Sequence, residues 1–361
     1  MLDQLVVGAA PGDAITKSAL LIRDALREHG PSELYAQHIE PGLGTEVYPL
    51  PELSQRPNRD TPLVFHASMG SWPVHDALRR EARLALIYHN FSPPEFYAEI
   101  APEVASDLIR GRWELEQIRD KVECALADSD YNAAELVELG YRDVDVIAPT
   151  PDIERLDSVR PDPAMMAEVA SWGGGPVVLC VAQQLPHKRI ERVLAAVAVL
   201  QQEFLPDARL AFVGVDRLPT YSSALRVMGQ SLGLRDPKFL GRVSDAELAA
   251  LYLKASVFLT LSEHEGFCVP VVEAMATGVA VVASRRAAIP STVGRAAILI
   301  DDPDDPVDVA AVLHRVITDD ELRSTLVGRG VGRAYEVSAA VSLPRYISRL
   351  LPLAAAPGVA P

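Results

Sequence analysis

The sequence predicts an α/β fold of two doubly wound domains, each with a parallel sheet covered by helices on both faces. Short apolar runs alternate with helical patterns, and this alternation occurs twice, on either side of a stretch rich in proline and aspartate at 149–163. The length of 361 residues also suits two domains of ~100–200 residues each. Because ligands of such sheets bind at the carboxyl ends of the strands, we expect the two domains to face each other across a cleft.

The first series of alternating elements defines a domain at 1–150. Apolar runs predict strands at 5–9, 63–66, 84–89 and 144–148, and helical periodicity predicts helices at 18–28, 102–127 and 132–139. A linker is expected at 151–163, where proline and aspartate interrupt any helical period.

The second series defines a domain at 164–340. Strands are expected at 177–182, 210–213, 238–240, 257–261 and 279–284, with helices at 190–204, 221–232, 245–254 and 271–276. Terminal helices are expected at 307–318, 319–334 and 342–351. A C-terminal helix within 341–353 is expected to return to the first domain, and the small residues and prolines of 354–361 are typical of a disordered tail.

Composition and charge exclude several classes of function. The net charge of −15 disfavours nucleic acid and acidic lipid as partners. No apolar run reaches the roughly 18–20 residues of a membrane-spanning helix, and 1–12 lacks the basic start of a signal peptide, so a cytoplasmic location is expected. Three cysteines, Cys124, Cys180 and Cys268, lie far apart without CxxC spacing, which predicts reduced thiols and no zinc site.

A loop with two glutamates follows the predicted strand at 257–261. The stretch 262–278 reads SEHEGFCVPVVEAMATG, in which Pro270 suits the first turn of a helix and Gly278 its left-handed end. This spacing predicts that Glu265 lies in the loop and Glu273 in the first helical turn.

The amino terminus of this predicted helix suits a negatively charged ligand. Its unpaired N–H groups around 267–269 and its partial positive charge would favour a diphosphate. Carboxylates beside it suit sugar hydroxyls, at about 1.5–3 kcal/mol for each charged hydrogen bond. The alternative is that Glu273 merely complements the helix dipole and that Glu265 is a solvated loop residue.

The pattern Glu-Gly-Phe, then Pro, then Glu-Ala-Met-Ala resembles the donor-site motif of retaining glycosyltransferases of the GT-B fold, family 4 (group 1). The resemblance covers nearly the whole chain. It implies that Glu265 is catalytic and contacts the transferred sugar, and that Glu273 holds the ribose of the nucleotide. It also implies that the backbone of four residues cradles sugar hydroxyls and phosphate: Gly266, Phe267, Cys268 and Val269. The position of Cys268 is commonly glycine in this family.

The stretch 181–189, VAQQLPHKR, resembles the family's Gly-Arg-Leu-x-Pro-x-Lys segment, whose Arg and Lys neutralise the leaving diphosphate. Lys188 matches the lysine and is expected to bind the donor and to be catalytic. Gln183 stands where arginine is usual, so stabilisation of the leaving group depends more heavily on Lys188, with Arg189 as a further donor-binding candidate. The alternative is a basic pair at the start of a surface helix.

A third donor segment is 239–245, FLGRVSD, which resembles the part of the family whose backbone holds the nucleobase edge. The resemblance implicates Arg242 and Val243. Gly214 ends a predicted strand that points toward this same segment, and it is a further donor-binding candidate. Glycines are common in turns, so this residue alone is weak evidence.

In the first predicted domain, the resemblance places the loop 8–13 against the donor phosphates and the acceptor. This implicates Gly12 in donor binding and Asp13 in acceptor binding, with a simple tight turn as the alternative. The stretch 88–94, YHNFSPP, resembles the His-Asn-x-x-Pro stretch in a branch of family 4, where the histidine lies by the sugar. His89 is therefore predicted to be catalytic, with a purely structural role as the alternative. The polar residues at neighbouring strand ends predicted to bind the acceptor are Ser68, Ser71 and Asn90.

The resemblance implies a retaining glycosyltransferase that moves a hexose from a nucleoside-diphosphate sugar to a hydroxyl acceptor: a polysaccharide, a lipid-linked glycan or a small natural product. The departing diphosphate oxygen would take the acceptor's proton, and catalysis would come from electrostatic support and alignment. No metal or other cofactor is expected, since no Asp-x-Asp stands in the predicted cleft loops. A lipid-linked acceptor would bring weak membrane association, although no basic amphipathic helix stands out.

Two other functions remain open at this point. The two glutamates could be the acid/base pair of a glycoside hydrolase, which would release sugar from a glycoside without any nucleotide. Alternatively, Gln183 in place of arginine could mark a binding-only protein that recognises nucleotide without turnover.

Overall fold

The computed structural model describes residues 2–56 and 62–354, which form two compact units. The first unit combines Met1–Pro151 with Val337–Pro361, and the second is the continuous segment Asp152–Glu336. Apart from Ala354, the predicted tail at 354–361 lies outside the described residues.

The first unit contains a seven-stranded, fully parallel sheet in the order β3-β2-β1-β4-β5-β6-β7. Its strands are β1 (Gln4–Ala9), β2 (Leu34–Ile39), β3 (Tyr48–Pro49), β4 (Leu63–Ala67), β5 (Leu84–Tyr88), β6 (Val122–Ala127) and β7 (Val144–Val146). Its helices are α1 (Ala14–Arg27), α2 (Trp72–Arg80), α3 (Pro102–Ile118), α4 (Asp130–Glu138) and the C-terminal helix Ala339–Leu350. This is the predicted doubly wound architecture.

Side-chain caps fix where three of these helices begin. The Asp13 carboxylate accepts the Thr16 N–H, the Ser71 hydroxyl accepts the Val74 N–H, and Ser129 caps α4 in the same way. An accepting side chain at the N-cap satisfies an N–H group that has no partner inside the helix. Helix α1 consequently begins four residues before the predicted start at 18.

The prediction of one helix at 102–127 was wrong, because α3 ends at Ile118 and 122–127 is strand β6. The segment VECALA is rich in alanine, leucine and glutamate, which favour helix locally. Its pairing with Leu84–Tyr88 on one side and Val144–Val146 on the other overrides that propensity. Strands β2 and β3 were not predicted at all.

The second unit contains a six-stranded parallel sheet in the order β10-β9-β8-β11-β12-β13. Its strands are β8 (Val177–Val181), β9 (Arg209–Val213), β10 (Lys238–Gly241), β11 (Val257–Thr260), β12 (Val281–Ser284) and β13 (Ala297–Ile300). Its helices are α5 (Ile153–Ser158), α6 (Pro163–Ala170), α7 (Ile190–Val199), α8 (Pro219–Ser231), α9 (Asp245–Lys254), α10 (Val269–Ala276), α11 (Ile289–Val293), α12 (Pro306–Thr318) and α13 (Asp320–Glu336). The C-terminal helix is therefore α14.

Three features of the second unit differ from the predictions. The predicted linker at 151–163 contains helix α5, which Asp152 caps by accepting the Arg155 N–H. Helix α11 and strand β13 were not predicted, because each is a run of only four or five residues. The helix predicted at 190–204 changes at Leu200 into a single turn of π-helix, Leu200–Phe204.

Helix α14 packs in the core of the first unit. The fully buried Tyr346 and Leu350 belong to the same apolar cluster as Ile22 and Leu26 of α1. The Tyr346 hydroxyl also donates to the carbonyl of Ile147, 3.1 Å away. The C-terminal helix is thus a structural part of the first unit.

Within residues 2–56 and 62–354, no helix is both long enough and apolar enough to cross a bilayer.

Candidate active site

Two loops of the second unit meet where its strand order reverses. Strands β8 and β11 are neighbours in the sheet, and the next strand after β8 along the chain, β9, lies on its other side. Loops 182–189 and 261–268 follow β8 and β11, and the Glu263 N–H donates to the His187 carbonyl at 2.8 Å. Such a reversal at the carboxyl ends of parallel strands is where open α/β sheets bind ligands.

The pair at the centre of these loops is Lys188 and Glu265. Lys188 Nζ lies 2.7 Å from Glu265 Oε2, and the Ser262 hydroxyl donates to Glu265 Oε1 at 2.9 Å. The side chains are 18% exposed for Lys188 and 9% exposed for Glu265, so both charges are mostly shielded from water but reachable by a ligand. The structure therefore brings together two of the three residues predicted to be catalytic.

The carboxylate of Glu265 affects the thiols around it. Burial, followed by Glu265, raises the pKa of Cys268 well above its ordinary value and raises the pKa of Cys180 to about 12. Both thiols are therefore protonated at neutral pH. All three cysteines of the chain are free and buried, in agreement with the predicted reduced thiols.

The backbone is left-handed at two positions beside this pair. Arg189 has φ 49° and ψ 47°, and Cys268 has φ 74° and ψ 67°, and each is the residue just before a helix. Left-handed conformations of residues other than glycine are uncommon and cluster at functional sites. At Cys268 this explains in physical terms why a glycine suits the position.

Glu273 lies two residues further along α10 than predicted, because the helix begins at Val269 and not at 271. The helix begins at Val269, so Glu273 is its fifth residue, and no acidic residue lies in the first turn. The half-buried Glu273 accepts a hydrogen bond from the Tyr252 hydroxyl at 3.0 Å. Gly278 has φ 74° just past the end of α10, as predicted.

The remaining donor candidates of the second unit lie around the ends of β8, β9 and β10. The Gly214 N–H donates to the Gly241 carbonyl at 2.9 Å, which sets Gly214 against the segment of Arg242 and Val243. A Cβ at Gly214 would lie 1.7 Å from the Ala182 carbonyl oxygen, so close packing of the two strand ends requires glycine there.

The two side chains expected to support Lys188 take different positions. Gln183 is half-buried in the loop after β8. Arg189 lies 3.4 Å from Glu191, whose other oxygen accepts the Tyr221 hydroxyl at 2.6 Å. The arginine charge is therefore balanced by a carboxylate of its own helix, and Lys188 is the cation that contacts Glu265.

His89 lies in a buried chain of hydrogen bonds in the first unit. Its Nε2 is 2.9 Å from His66 Nδ1 and its Nδ1 is 2.7 Å from Asp128 Oδ2, while His66 Nε2 is 2.8 Å from Gln4 Oε1. The two imidazole rings are stacked with centroids 5.2 Å apart. Both ring nitrogens of His89 are thus occupied, which favours the structural role that the sequence left open over direct contact with a sugar.

The direction of these hydrogen bonds can be worked out from Gln4. Its amide NH₂ donates to the Ala19 carbonyl at 3.0 Å, so its oxygen must accept from His66 Nε2–H. His66 Nδ1 then accepts from His89 Nε2–H, and one proton is left to share between His89 Nδ1 and Asp128. Burial lowers the pKa of His66 well below its ordinary value and raises the pKa of Asp128.

Three of the four predicted acceptor residues of the first unit have structural hydrogen bonds. Asp13 and Ser71 are helix caps, and Ser71 N–H also donates to Glu114 at 3.0 Å. Asn90, with φ 85°, donates to Asn132 at 2.8 Å and to Glu135 at 2.7 Å. Ser68 is half-buried after β4, and Gly12 is exposed with φ 80°, as a tight turn requires. Acceptor binding by Asp13, Ser68, Ser71 and Asn90 stays a prediction, and so does donor binding by Gly12.

Sequence reasoning missed the residues that hold the glutamates. Ser262 and Tyr252 carry out this role, and both are buried. Ser262 had a detectable signal, since it lies three residues before Glu265 in the same loop. Tyr252 had none, because it is 21 residues away from Glu273 and lies in a different helix.

Across the described stretches of the chain, no group of three or more His, Cys, Asp or Glu side chains is arranged to hold a metal ion.

Parts of the chain are similar to known proteins. Residues 163–330 match the family model for glycosyl transferases group 1. The chain is 30% identical over 238 residues to the O-antigen chain mannosyltransferase B of Escherichia coli, covering 62% of this chain and 59% of that protein. It is 32% identical over 161 residues to a GDP-mannose-dependent alpha-(1-6)-phosphatidylinositol monomannoside mannosyltransferase of Mycolicibacterium smegmatis, covering 41% of each. The chain thus spans at most 59% of the length of these two relatives.

The fold is similar to that of a solved structure. Sucrose-phosphate synthase from Thermosynechococcus elongatus superposes with a TM-score of 0.73 and 19% identity, over 98% of both chains. This confirms the predicted fold class, and the match at 163–330 confirms the predicted transferase class at the level of that segment. The chain therefore has the GT-B fold, and its residues 163–330 match the family model for glycosyl transferases group 1.

Proposed function

We propose that this chain is a retaining glycosyltransferase that moves a mannosyl residue from GDP-mannose to a hydroxyl acceptor. The class of donor follows from the predicted site residues, and the choice of mannose and GDP follows from the names of its relatives. The proposal depends above all on one observation: Lys188 and Glu265 lie 2.7 Å apart at the switch point of the second sheet, beside the amino terminus of α10.

The chemistry of this site suits a nucleoside-diphosphate sugar. The ammonium group of Lys188 and the N–H groups at the start of α10 would hold the diphosphate, since helix amino termini attract anions. Glu265 would accept hydrogen bonds from the sugar hydroxyls and Glu273 from the ribose. Binding of the donor would thus replace the contact between Lys188 and Glu265 with one contact from each to the ligand.

In this proposal the leaving phosphate oxygen takes the proton of the acceptor hydroxyl. The new glycosidic bond forms as the bond between the sugar and the phosphate breaks, on the same face of the sugar, so the anomeric configuration is retained. Lys188 stabilises the charge that develops on the diphosphate. No metal ion is required, because the lysine and the helix amino terminus supply the positive charge.

The test is a transfer assay on the intact chain. GDP-mannose, UDP-glucose, ADP-glucose and a TDP-sugar are each supplied with a panel of polysaccharide, lipid-linked and small hydroxyl acceptors, with and without EDTA. We expect release of the nucleoside diphosphate that depends on acceptor, is fastest with GDP-mannose and is unchanged by EDTA. NMR of the product should show the same anomeric configuration as the donor.

Two outcomes would contradict the proposal. Release of sugar from a glycoside without any nucleotide would indicate a hydrolase. Binding of nucleotide with no transfer, and transfer appearing in Gln183→Arg, would indicate a binding-only protein.

A further inference from the structure

We infer, on the basis of the proposed function, that Ser262 and Tyr252 are positioning residues with separate effects: Ser262 orients Glu265 for sugar transfer, and Tyr252 orients Glu273 for nucleotide binding. Neither residue was identified from the sequence as part of the site. Both are buried hydroxyl groups whose acceptor is one of the two glutamates.

Ser262 belongs to a short chain of hydroxyl groups. Its Oγ lies 3.1 Å from Thr260 Oγ1 and donates to Glu265 Oε1 at 2.9 Å, so Thr260 can donate to Ser262 while Ser262 donates to the carboxylate. Its carbonyl accepts from the Ser284 hydroxyl at 2.5 Å, which holds the backbone of the loop. Ser262 is fully buried, and its hydrogen bond therefore fixes one carboxylate oxygen in a site with little water.

The other oxygen of Glu265 contacts Lys188. When a diphosphate binds Lys188, the serine hydroxyl remains as a hydrogen-bond donor that orients the carboxylate. Removal of that hydroxyl would leave the Glu265 carboxylate with the weaker hydrogen bond of the Cys268 thiol, so it would rotate more easily away from the sugar. This predicts a defect in transfer without a defect in the binding of a nucleotide that carries no sugar.

Tyr252 holds the second glutamate from a different helix. It is only 1% exposed, lies on α9 and donates to Glu273 Oε2 at 3.0 Å, with the Pro270 carbonyl a second acceptor at 3.4 Å. Burial, followed by the charge of Glu273, raises the pKa of Tyr252 well above its ordinary value, so the hydroxyl stays protonated and remains a donor. Helix α9 begins just after Arg242 and Val243, which links this contact to the predicted nucleobase segment.

Packing alone gives no reason for these two hydroxyl groups. Alanine at 262 and phenylalanine at 252 would nearly preserve the packed volume, and a buried hydroxyl is stabilised only where it finds a partner. A hydrogen bond to a charged group contributes about 1.5–3 kcal/mol, equivalent to about 10–100-fold in an equilibrium or rate constant.

The experiment compares Ser262→Ala with Tyr252→Phe. Calorimetric titration of GDP, UDP and ADP alone gives the nucleotide Kd, and the transfer assay gives kcat and the KM for the donor. We expect Ser262→Ala to lower kcat about tenfold or more and to change the nucleotide Kd less than about twofold. We expect Tyr252→Phe to raise the nucleotide Kd and the donor KM by the same factor of about ten, with kcat little changed.

Matched controls remove a buried hydroxyl from the first unit. Ser342 donates to the Ser338 carbonyl at 3.0 Å and Tyr141 to the Leu115 carbonyl at 2.8 Å, so Ser342→Ala and Tyr141→Phe should leave Kd, KM and kcat unchanged. Ser262→Thr, which keeps a hydroxyl, should restore most of kcat. Thermal unfolding identifies any variant whose effect is loss of fold.

The results separate two kinds of failure. If the wild-type chain binds nucleotide and both variants change kcat, KM and Kd alike, or change none of them, this inference is wrong and the proposed function stands. If the wild-type chain binds none of the three nucleotides, the proposed function is wrong and this inference falls with it.

Discussion

Two polar clusters lie at comparable places in the two sheets, but they differ in solvent exposure and in how their side chains are hydrogen-bonded. The donor cluster (Lys188, Ser262, Glu265 and Cys268) follows the ends of β8 and β11. The histidine chain (Gln4, His66, His89 and Asp128) lies along β1, β4, β5 and the end of β6. The sequence predicted a catalytic residue in each. The structure shows one cluster with a partly exposed cation and another with its central histidine hydrogen-bonded through both nitrogens.

The difference shows what separates a site from a structural network. The donor cluster keeps a charged pair that is partly exposed, and in the proposed function a ligand replaces the contact within that pair. Both ring nitrogens of His66 and of His89 are already hydrogen-bonded within the protein, although the buried Asp128 Oδ1 has no partner, so a ligand of either histidine would have to break existing hydrogen bonds. Buried networks of this kind stabilise and orient a fold. Four experiments test this contrast.

The largest expected effect is on turnover, in Lys188→Ala. We expect turnover to fall by about 100-fold or more, because loss of one electrostatic group in an active site typically costs that much. Initial rates of GDP release with saturating acceptor measure it, and Lys254→Ala, which removes an exposed lysine of the same unit, is the control. A nearly unchanged rate would refute the role assigned to Lys188.

The corresponding variant in the first unit is His89→Ala, which we expect to lower the stability of the fold more than the turnover. Removal of the ring leaves His66 and Asp128 buried without their shared partner, and we expect the free energy of unfolding to fall by about 2–3 kcal/mol. Urea unfolding measures this, with the exposed His29→Ala as control. Loss of turnover at unchanged stability would instead support a catalytic His89.

The pH dependence of stability compares one buried histidine from each region. Burial lowers the pKa of His66 and, together with Lys188 and His264, the pKa of His187. Below about pH 6.5 the unfolded chain binds protons that the folded chain does not, so stability falls as pH falls, by about 1.4 kcal/mol per pH unit for each histidine.

Unfolding titrations at pH 7, 6 and 5 measure that slope. His66→Gln and His187→Gln should each reduce it by about 1.4 kcal/mol per pH unit. An unchanged slope in either variant would mean that the histidine concerned is charged in the folded protein.

The smallest effect concerns the backbone at Cys268. Alanine keeps the Cβ that is unfavourable at φ 74° and glycine removes it, so we expect Cys268→Gly to be more stable than Cys268→Ala by about 1 kcal/mol. This order is the reverse of that at an ordinary helix or strand position. Equal stability, measured by chemical unfolding, would show that no strain is stored there.

The sequence predicted the alternation of strands and helices and the loop that carries Glu265, because both depend on residues close together in the chain. It failed at β6, where the local composition favours helix and distant strand pairing decides. It also placed the start of α10 two residues too late, because the left-handed residue before this helix cannot be read from residue types alone. A local pattern cannot show whether a serine such as Ser71 caps a helix or binds the acceptor substrate. It also cannot show whether both nitrogens of a histidine are already hydrogen-bonded within the protein.

The role of His89 shows why the rest was out of reach. Its partners are His66, 23 residues before it, and Asp128, 39 residues after it. Only the order of the strands brings these three side chains together, and that order is a property of the whole sheet. In the second unit the contact between Lys188 and Glu265 spans 77 residues, and family resemblance rather than local pattern predicted that both serve one ligand.

The position of α14 in the first unit has a consequence for synthesis on the ribosome. Residues 152–336 form a continuous segment and can complete their sheet and core as soon as they emerge. The first unit, although it begins the chain, lacks Tyr346 and Leu350 in its core until the last helix has been made. The core of the first unit can therefore be completed only after the second unit has been synthesised, and a chain stalled or truncated before residue 339 would leave Ile22 and Leu26 without these partners.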